Sequence, residues 1–211
     1  MSWFETCKEY MIYTYMEIID FRFIHRKDTF EKKYIAWSRI YEYPVVLKMI
    51  ENLGGNVNSN IHNTSWGFEG CHVTFKNDLD RLYPHTIHSD IKASELKKTT
   101  IYDITKEPSD DLKGKYDFVI NVSTVEEVNY SHVEIIKNLL SQVKQNGYLI
   151  ITFDYKKSSQ KHIGSINLSE VEKFLGAVIS TDENIISGLN SENPEERNKL
   201  LNCGLLVIKK Y

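Results

Sequence analysis

The chain has 211 residues, 41% of them hydrophobic and 12% aromatic, which suits one α/β domain with a packed core and an added N-terminal segment. Its 26 Lys and Arg are interleaved with 29 Asp and Glu for a net charge of −3, so charge suggests no nucleic-acid partner. Cys7, Cys71 and Cys203 are widely spaced and form no CxxC pair, which argues against a disulfide framework and a zinc site.

Met1-Ser-Trp-Phe-Glu-Thr6 lacks the basic region and apolar core of a signal peptide. The apolar runs fall far short of the roughly 20 residues that span a bilayer, so the expected setting is cytoplasmic with no membrane partner. Residues 1–52 read as an N-terminal helical cap, with residues 53–211 as the main domain. Phe4, Tyr10-Met11, Tyr13-Thr14-Tyr15 and Ile18-Ile19 suggest one aromatic-rich helix, and Phe30 to Ile40 a second. Glu42-Tyr43-Pro44 marks a break, and Val45 to Leu53 a short helix closed by Gly54-Gly55. A strand is expected from Asn58 to Asn63, a helix from Val73 to Tyr83, a strand from Thr86 to Ser89 ending in Asp90, and a short strand from Thr99 to Tyr102 ending in Asp103. Phe118 to Val122 is a nearly continuous apolar run, as in a strand buried on both faces of a parallel sheet. From Ser131 to Gln145 the apolar residues Val133, Ile136, Leu140 and Val143 take helical spacing, with Ser131-x-x-Glu134 as a capping box and Asn146-Gly147 as a stop. Tyr148 to Phe153 is then a second buried strand ending in Asp154. Ser169-x-x-Glu172 caps a helix through Leu175. Asn202 to Lys210 is a last strand, with its antiparallel partner expected within Ala177 to Ser187.

Strand, helix and strand between Phe118 and Asp154 make one right-handed βαβ unit. Open parallel sheets take ligands at the carboxyl ends of their strands, which directs attention to Asn121–Glu127 and Asp154. The wording of this unit, Tyr116-Asp-Phe-Val-Ile-Asn121, Ser123-Thr-Val-Glu-Glu127 and Gly147-Tyr-Leu-Ile-Ile-Thr-Phe-Asp154, resembles strands four and five of class I S-adenosylmethionine-dependent methyltransferases. The resemblance extends more faintly from Arg39 to Tyr211. It implies a Rossmann-like α/β fold: a doubly wound, mostly parallel seven-stranded sheet with a terminal antiparallel hairpin. It also implies S-adenosylmethionine as cofactor. The family's acid-x-Gly-x-Gly-x-Gly loop falls on His62–His72 with Asn63 in the acid's place, Ser65 and Gly67 at the first two glycines and Glu69 at the third. Gly70 comes one residue late. Trp66 lies within this loop, and Glu69 is a candidate for the missing carboxylate. A plain strand-to-helix turn accounts for the same residues.

Asp90 ends a strand 20 residues after Gly70, where a carboxylate accepts both ribose hydroxyls of an adenosine. The resemblance implies that Asp103 accepts from the adenine amino group; Tyr102 or Ile104 is a candidate to pack on the purine face, though both are equally ordinary core residues, and Ile91 belongs to the same cofactor-binding set. It also implies that Asn121, Val122 and Ser123 line the methyl-donor end. Thr124-x-x-Glu127 reads as a second capping box. Glu126 or Glu127 serves as base if one carboxylate raises the other's pKa, although two acids at a helix start are equally dipole partners. Tyr155 and His162, on the loop after Asp154, are the remaining candidates for contacting or deprotonating an acceptor. The leading expectation is methyl transfer to a small polar molecule, with a sugar or other metabolite as acceptor. The alternative is an inactive methyltransferase-like binding or scaffold subunit. A nicotinamide oxidoreductase lacks its Gly-x-Gly-x-x-Gly here.

Overall fold

The computed structural model describes residues 16–25, 31, 33–34, 39–66, 71–92, 94, 99–154, 166, 168–176 and 200–211. The strands are β1 (Met16–His25), β2 (Ile61–Thr64), β3 (Thr86–Asp90), β4 (Thr100–Ile101), β5 (Tyr116–Val122), β6 (Val143–Asp154) and β7 (Leu200–Lys210). The helices are α1 (Arg39–Asn52), α2 (Cys71–Leu82), α3 (His132–Gln142) and α4 (Leu168–Leu175). One seven-stranded sheet has the order β1-β7-β6-β5-β2-β3-β4. From β6 to β4 every pairing is parallel, whereas β7 runs antiparallel to both β6 and β1. This is the doubly wound sheet with an antiparallel edge that the sequence suggests.

Side-chain alternation along the central strands creates two cores. Val119, Leu149, Ile151, Phe153, Leu206 and Ile208 pack with α3 and α4 on one face. Phe118, Ile120, Val122, Ile150, Leu205 and Val207 pack with α1 and α2 on the other. Helix α3 is capped as its sequence predicts, Ser131 Oγ accepting from Glu134 N at 3.3 Å. No helix among the described residues is long and apolar enough to cross a membrane.

The N-terminal expectations change most. Residues 16–19, read as the end of a helix, begin an edge strand that pairs with β7. A register shift between Ile18 and Asp20 displaces the apolar alternation by one residue, so the segment does not read as period two. The partner of β7 is thus β1; Ala177–Ser187, like residues 1–15, lies outside the described residues. The break expected at Pro44 is also absent: α1 runs through it. Proline leaves the carbonyl four residues back without its helical donor, and that carbonyl, on Ile40, accepts from Glu31 N at 3.1 Å.

The Asn146-Gly147 stop belongs to β6 rather than to a helix end, because α3 closes at Gln142 and Val143 already pairs with Tyr116. A Cβ on Gly147 would meet the Asp117 carbonyl oxygen at 2.8 Å and that of Tyr116 at 3.1 Å. Both are backbone atoms of the neighbouring strand and cannot swing aside. Gly147→Ala is therefore expected to destabilise the protein by about 1–3 kcal/mol, the usual overpacking range, read as a lower midpoint in chemical denaturation. An unchanged midpoint would mean that β5 and β6 separate without cost.

Candidate functional site

Strands β2 and β5 lie side by side at the centre of the sheet, and the chain leaves them in opposite directions, toward β3 and toward β6. This is the topological switch point at which open α/β sheets hold ligands. A cleft of ≈ 460 Å³ opens at the carboxyl ends of these strands, within the size range of small-molecule sites. Ser65, Asp90, Ile91, Asp103, Ile104, Val122 and Ser123 of the expected set line it, together with Arg39 and His72. Ser65 and Ser123, just beyond β2 and β5, have φ of 57° and 41°, a left-handed conformation that non-glycine residues rarely adopt. At Ser65 this is the geometry for which a glycine is the natural occupant.

The two acids of the β3–β4 side are held by the turns that follow them. Asp90 Oδ1 accepts from Ile91 N at 2.8 Å. Asp103 Oδ1 accepts from Thr105 Oγ1 at 2.7 Å and Thr105 N at 2.9 Å, bonds that hold its carboxyl below the usual range. Asn63 and Asn121 are turned elsewhere. Asn63, 2% exposed, donates its amide to His88 Nδ1 at 3.1 Å, while His88 Nε2 donates to Asp80 at 2.7 Å. Asn121 is fully buried and donates to Thr64 Oγ1 at 3.0 Å. Trp66 is buried beside His88. Gly67, Glu69, Gly70, Tyr155 and His162 lie outside the described residues.

On the β5–β6 side the cleft is built by α1, which the sequence reading passed over. Glu42 is 0% exposed. Its Oε1 accepts from Ser123 Oγ and, at 2.6 Å, from Thr152 Oγ1, and its Oε2 accepts from Arg39 Nη1. Burial opposes the Arg39 charge, but Glu42 outweighs it and raises the guanidinium pKa. His72 Nδ1 is hydrogen-bonded to Tyr43 Oη, and burial together with the Arg39 charge lowers the imidazole pKa, leaving the ring neutral at pH 7. Arg39 and Glu42 are three apart on one helix, so only their shared face marked them in the sequence.

The two expected catalytic carboxylates separate. Glu127 is exposed. Glu126 is 2% exposed and accepts from Asp154 N at 2.6 Å. Burial, with Glu42 and Asp154 nearby, pushes its pKa up to about 8, so it holds a proton at neutral pH. The cause is its depth and these two acids. Thr124 makes no side-chain cap; its hydroxyl donates to Val122 O at 3.1 Å.

No protein-family model and no curated protein matches the chain. Among solved structures it is similar to the trans-methyltransferase CalH complexed with S-adenosylhomocysteine (TM-score 0.53, 17% identity, 80% of this chain and 55% of that one). It is also similar to YcgJ of Bacillus subtilis (TM-score 0.53, 10% identity, 80% and 98%) and to a putative methyltransferase of Bacillus halodurans (TM-score 0.53, 9% identity, 78% and 97%). The chain spans about half the length of CalH. The sheet order and these likenesses define the class: the fold is that of the class I methyltransferases.

Glu126 supplies a test of the site's electrostatics. A carboxyl with a folded pKa near 8 and an unfolded one near 4.3 is ionised in the unfolded chain first, so it costs stability progressively as pH rises between those values. Glu126→Gln removes that cost while its amide oxygen still accepts from Asp154 N. The variant should gain stability relative to the native protein between pH 5 and pH 8, measured by denaturant midpoints at both. Parallel profiles would show that Glu126 ionises freely in the folded state.

Proposed function

We propose that this cleft binds S-adenosylmethionine and that the protein transfers its methyl group to a small polar acceptor, a sugar or other metabolite among the candidates. The observation that carries this reading is the convergence of Asp90, Asp103 and Ser123 from three strand ends on one cleft at the switch point. The fold's occurrence in CalH with S-adenosylhomocysteine, and in a Haemonchus contortus phosphoethanolamine N-methyltransferase with S-adenosylmethionine (TM-score 0.50, 11% identity, 79% and 52%), supports it.

In this reading Asp90 accepts the ribose hydroxyls, Asp103 accepts from the adenine amino group, and Ile91 and Ile104 flank the base. Val122 and Ser123 lie under the sulfur. The cofactor, when bound, supplies an electrophilic methyl group on a sulfonium. The protein's contribution is alignment of the acceptor with that group and exclusion of water. Proton removal falls to Tyr155 or His162 after β6, since neither Glu126 nor Glu127 is among the residues that line the described cleft. The acceptor would lie between that loop and the N-terminal segment.

A second reading, a non-catalytic binding or scaffold subunit, is favoured by one observation: Asn63, in the acid's place, is buried against His88, so β2 offers the cleft no carboxylate. The same fold also serves the [4+2]-cyclase SpnF (TM-score 0.53, 10% identity, 87% and 86%), and fold alone does not assign chemistry.

Calorimetric titration with S-adenosylhomocysteine tests the cofactor reading. Saturable binding is expected, with Asp90→Ala weakening it by about 1.5–3 kcal/mol, the scale of a hydrogen bond to a charged group. No saturable binding at millimolar ligand would reject it. Binding without turnover on any acceptor would favour the scaffold reading.

A further inference from the structure

A second pocket lies at the opposite, amino end of the sheet. Val122, which lines the cleft, and Asp117, which lines this pocket, stand five residues apart on β5, roughly 16 Å. The two walls are the loop from α1 to β2 and a bulge on β6. Where β5 pairs with β6, Tyr116 faces Val143 and Phe118 faces Tyr148, so Lys144–Gly147 stands opposite Asp117 alone and is pushed out of the ladder. Such bulges re-aim the side chains they carry. Asp117 ties the walls together: its Oδ2 accepts from Asn60 N at 2.7 Å and its Oδ1 from Lys144 Nζ at 3.0 Å. The first wall is also braced internally, Asn56 Oδ1 accepting from Asn58 N and Ser59 Oγ from Asn56 N, both at 3.0 Å. The pocket is thus preformed, and its volume of ≈ 360 Å³ is at the lower end of the range for small-molecule sites.

The lining has a definite chemistry. Asn56 commits its carboxamide to its own loop, donating to Gly54 O at 3.1 Å. Asn58, Gln145 and Asn146 are exposed and bond no described residue through their side chains, so three carboxamides from two walls converge on one pocket. Asp117 is the one charged residue among the described lining, and Lys144 neutralises it. Leu53 and the ring of Tyr148, stacked on Phe118 with centroids 5.6 Å apart, add apolar surface. A carboxamide both donates and accepts, as a hydroxyl does. An uncharged set of them beside an aromatic ring matches a ligand rich in hydroxyls, without charge, and carrying C–H groups that pack on the ring. We propose that this pocket binds a neutral sugar ring, Asn58, Gln145 and Asn146 exchanging hydrogen bonds with its hydroxyls. Asp117 is the positioning residue, since it fixes both walls. The site is separate from the cleft and stands whether or not the cleft takes S-adenosylmethionine.

The test is titration of the full chain with glucose, galactose and N-acetylglucosamine, and with glucuronate as a charged control, followed through backbone amide shifts by NMR. Saturable shifts confined to residues 53–60, 117–118 and 144–148 are expected for at least one neutral sugar at millimolar concentration. Glucuronate should bind at least about tenfold more weakly, because its carboxylate would meet Asp117 with no cation left to pair it. Asn58→Ala and Asn146→Gly should each weaken the neutral sugar about fivefold, the loss of one neutral hydrogen bond. Glycine at 146 keeps the left-handed backbone that Asn146 holds at φ 64°, so this variant removes the carboxamide and leaves the bulge. The unperturbed remainder of each variant's spectrum reports that the fold is kept. No saturable shift with any of the three neutral sugars, glucuronate binding as well as they do, or affinity unchanged in either variant would overturn the proposal.

Discussion

The Glu42 carboxylate is the constraint around which the carboxyl end of the sheet is arranged. It is fully buried, and a buried charge persists only if it is paired and hydrogen-bonded. Its partners include Arg39 one turn earlier on α1, Ser123 beyond β5 and Thr152 on β6. Stripping such a charge of its counter-ion costs about 3–5 kcal/mol, so α1 cannot move away from the central strand ends without a large loss. Ser123 is held in a left-handed conformation, with its hydroxyl bonded to Glu42 and its N–H to Thr152 O at 2.9 Å. The same carboxylate raises the pKa of Glu126 and, after burial itself, of the Cys203 thiol.

This arrangement divides labour across the sheet. The β3–β4 side supplies two carboxyl side chains at turns, Asp90 and Asp103, held by local donors. The β5–β6 side supplies an ion pair imported from the N-terminal segment, with Asp154 and a protonated Glu126 behind it. Other buried polar residues of the sheet bond one another within it. His62, for example, bonds Gln142 Oε1 at 2.6 Å and Ser89 Oγ at 2.7 Å, and burial lowers its pKa to about 4. Polar groups of this sheet are thus of two kinds, and among the described residues those at or just beyond the strand ends, such as Asp90 and Ser123, line the cleft.

The βαβ unit from β5 to β6 was legible because its strands are short apolar runs and its helix carries an unambiguous cap at Ser131. Asp90, Asp103, Val122 and Ser123 were legible because strand ends define the crevice once the strands are known. Three things were not. β1 was hidden by a register shift at Ile19 that breaks its alternation. The passage of α1 through Pro44 depends on a long-range donor, Glu31 N, that no local pattern announces. Arg39 and Glu42 depend on tertiary packing: a helical Arg and Glu three apart usually form a solvated pair, and only burial at the strand ends distinguishes this one. Asn63 shows the reverse error. Its register position pointed to the cleft, but pleating turned its side chain to His88.

The central claim is that the cleft between Asp90 and Arg39 is a nucleoside site. The most direct measurement is a crystal structure of the protein grown with S-adenosylhomocysteine. The account predicts the ribose hydroxyls on Asp90 and the sulfur over Val122 and Ser123. An empty cleft at saturating ligand, or a nucleoside lying with its ribose away from Asp90, would contradict it.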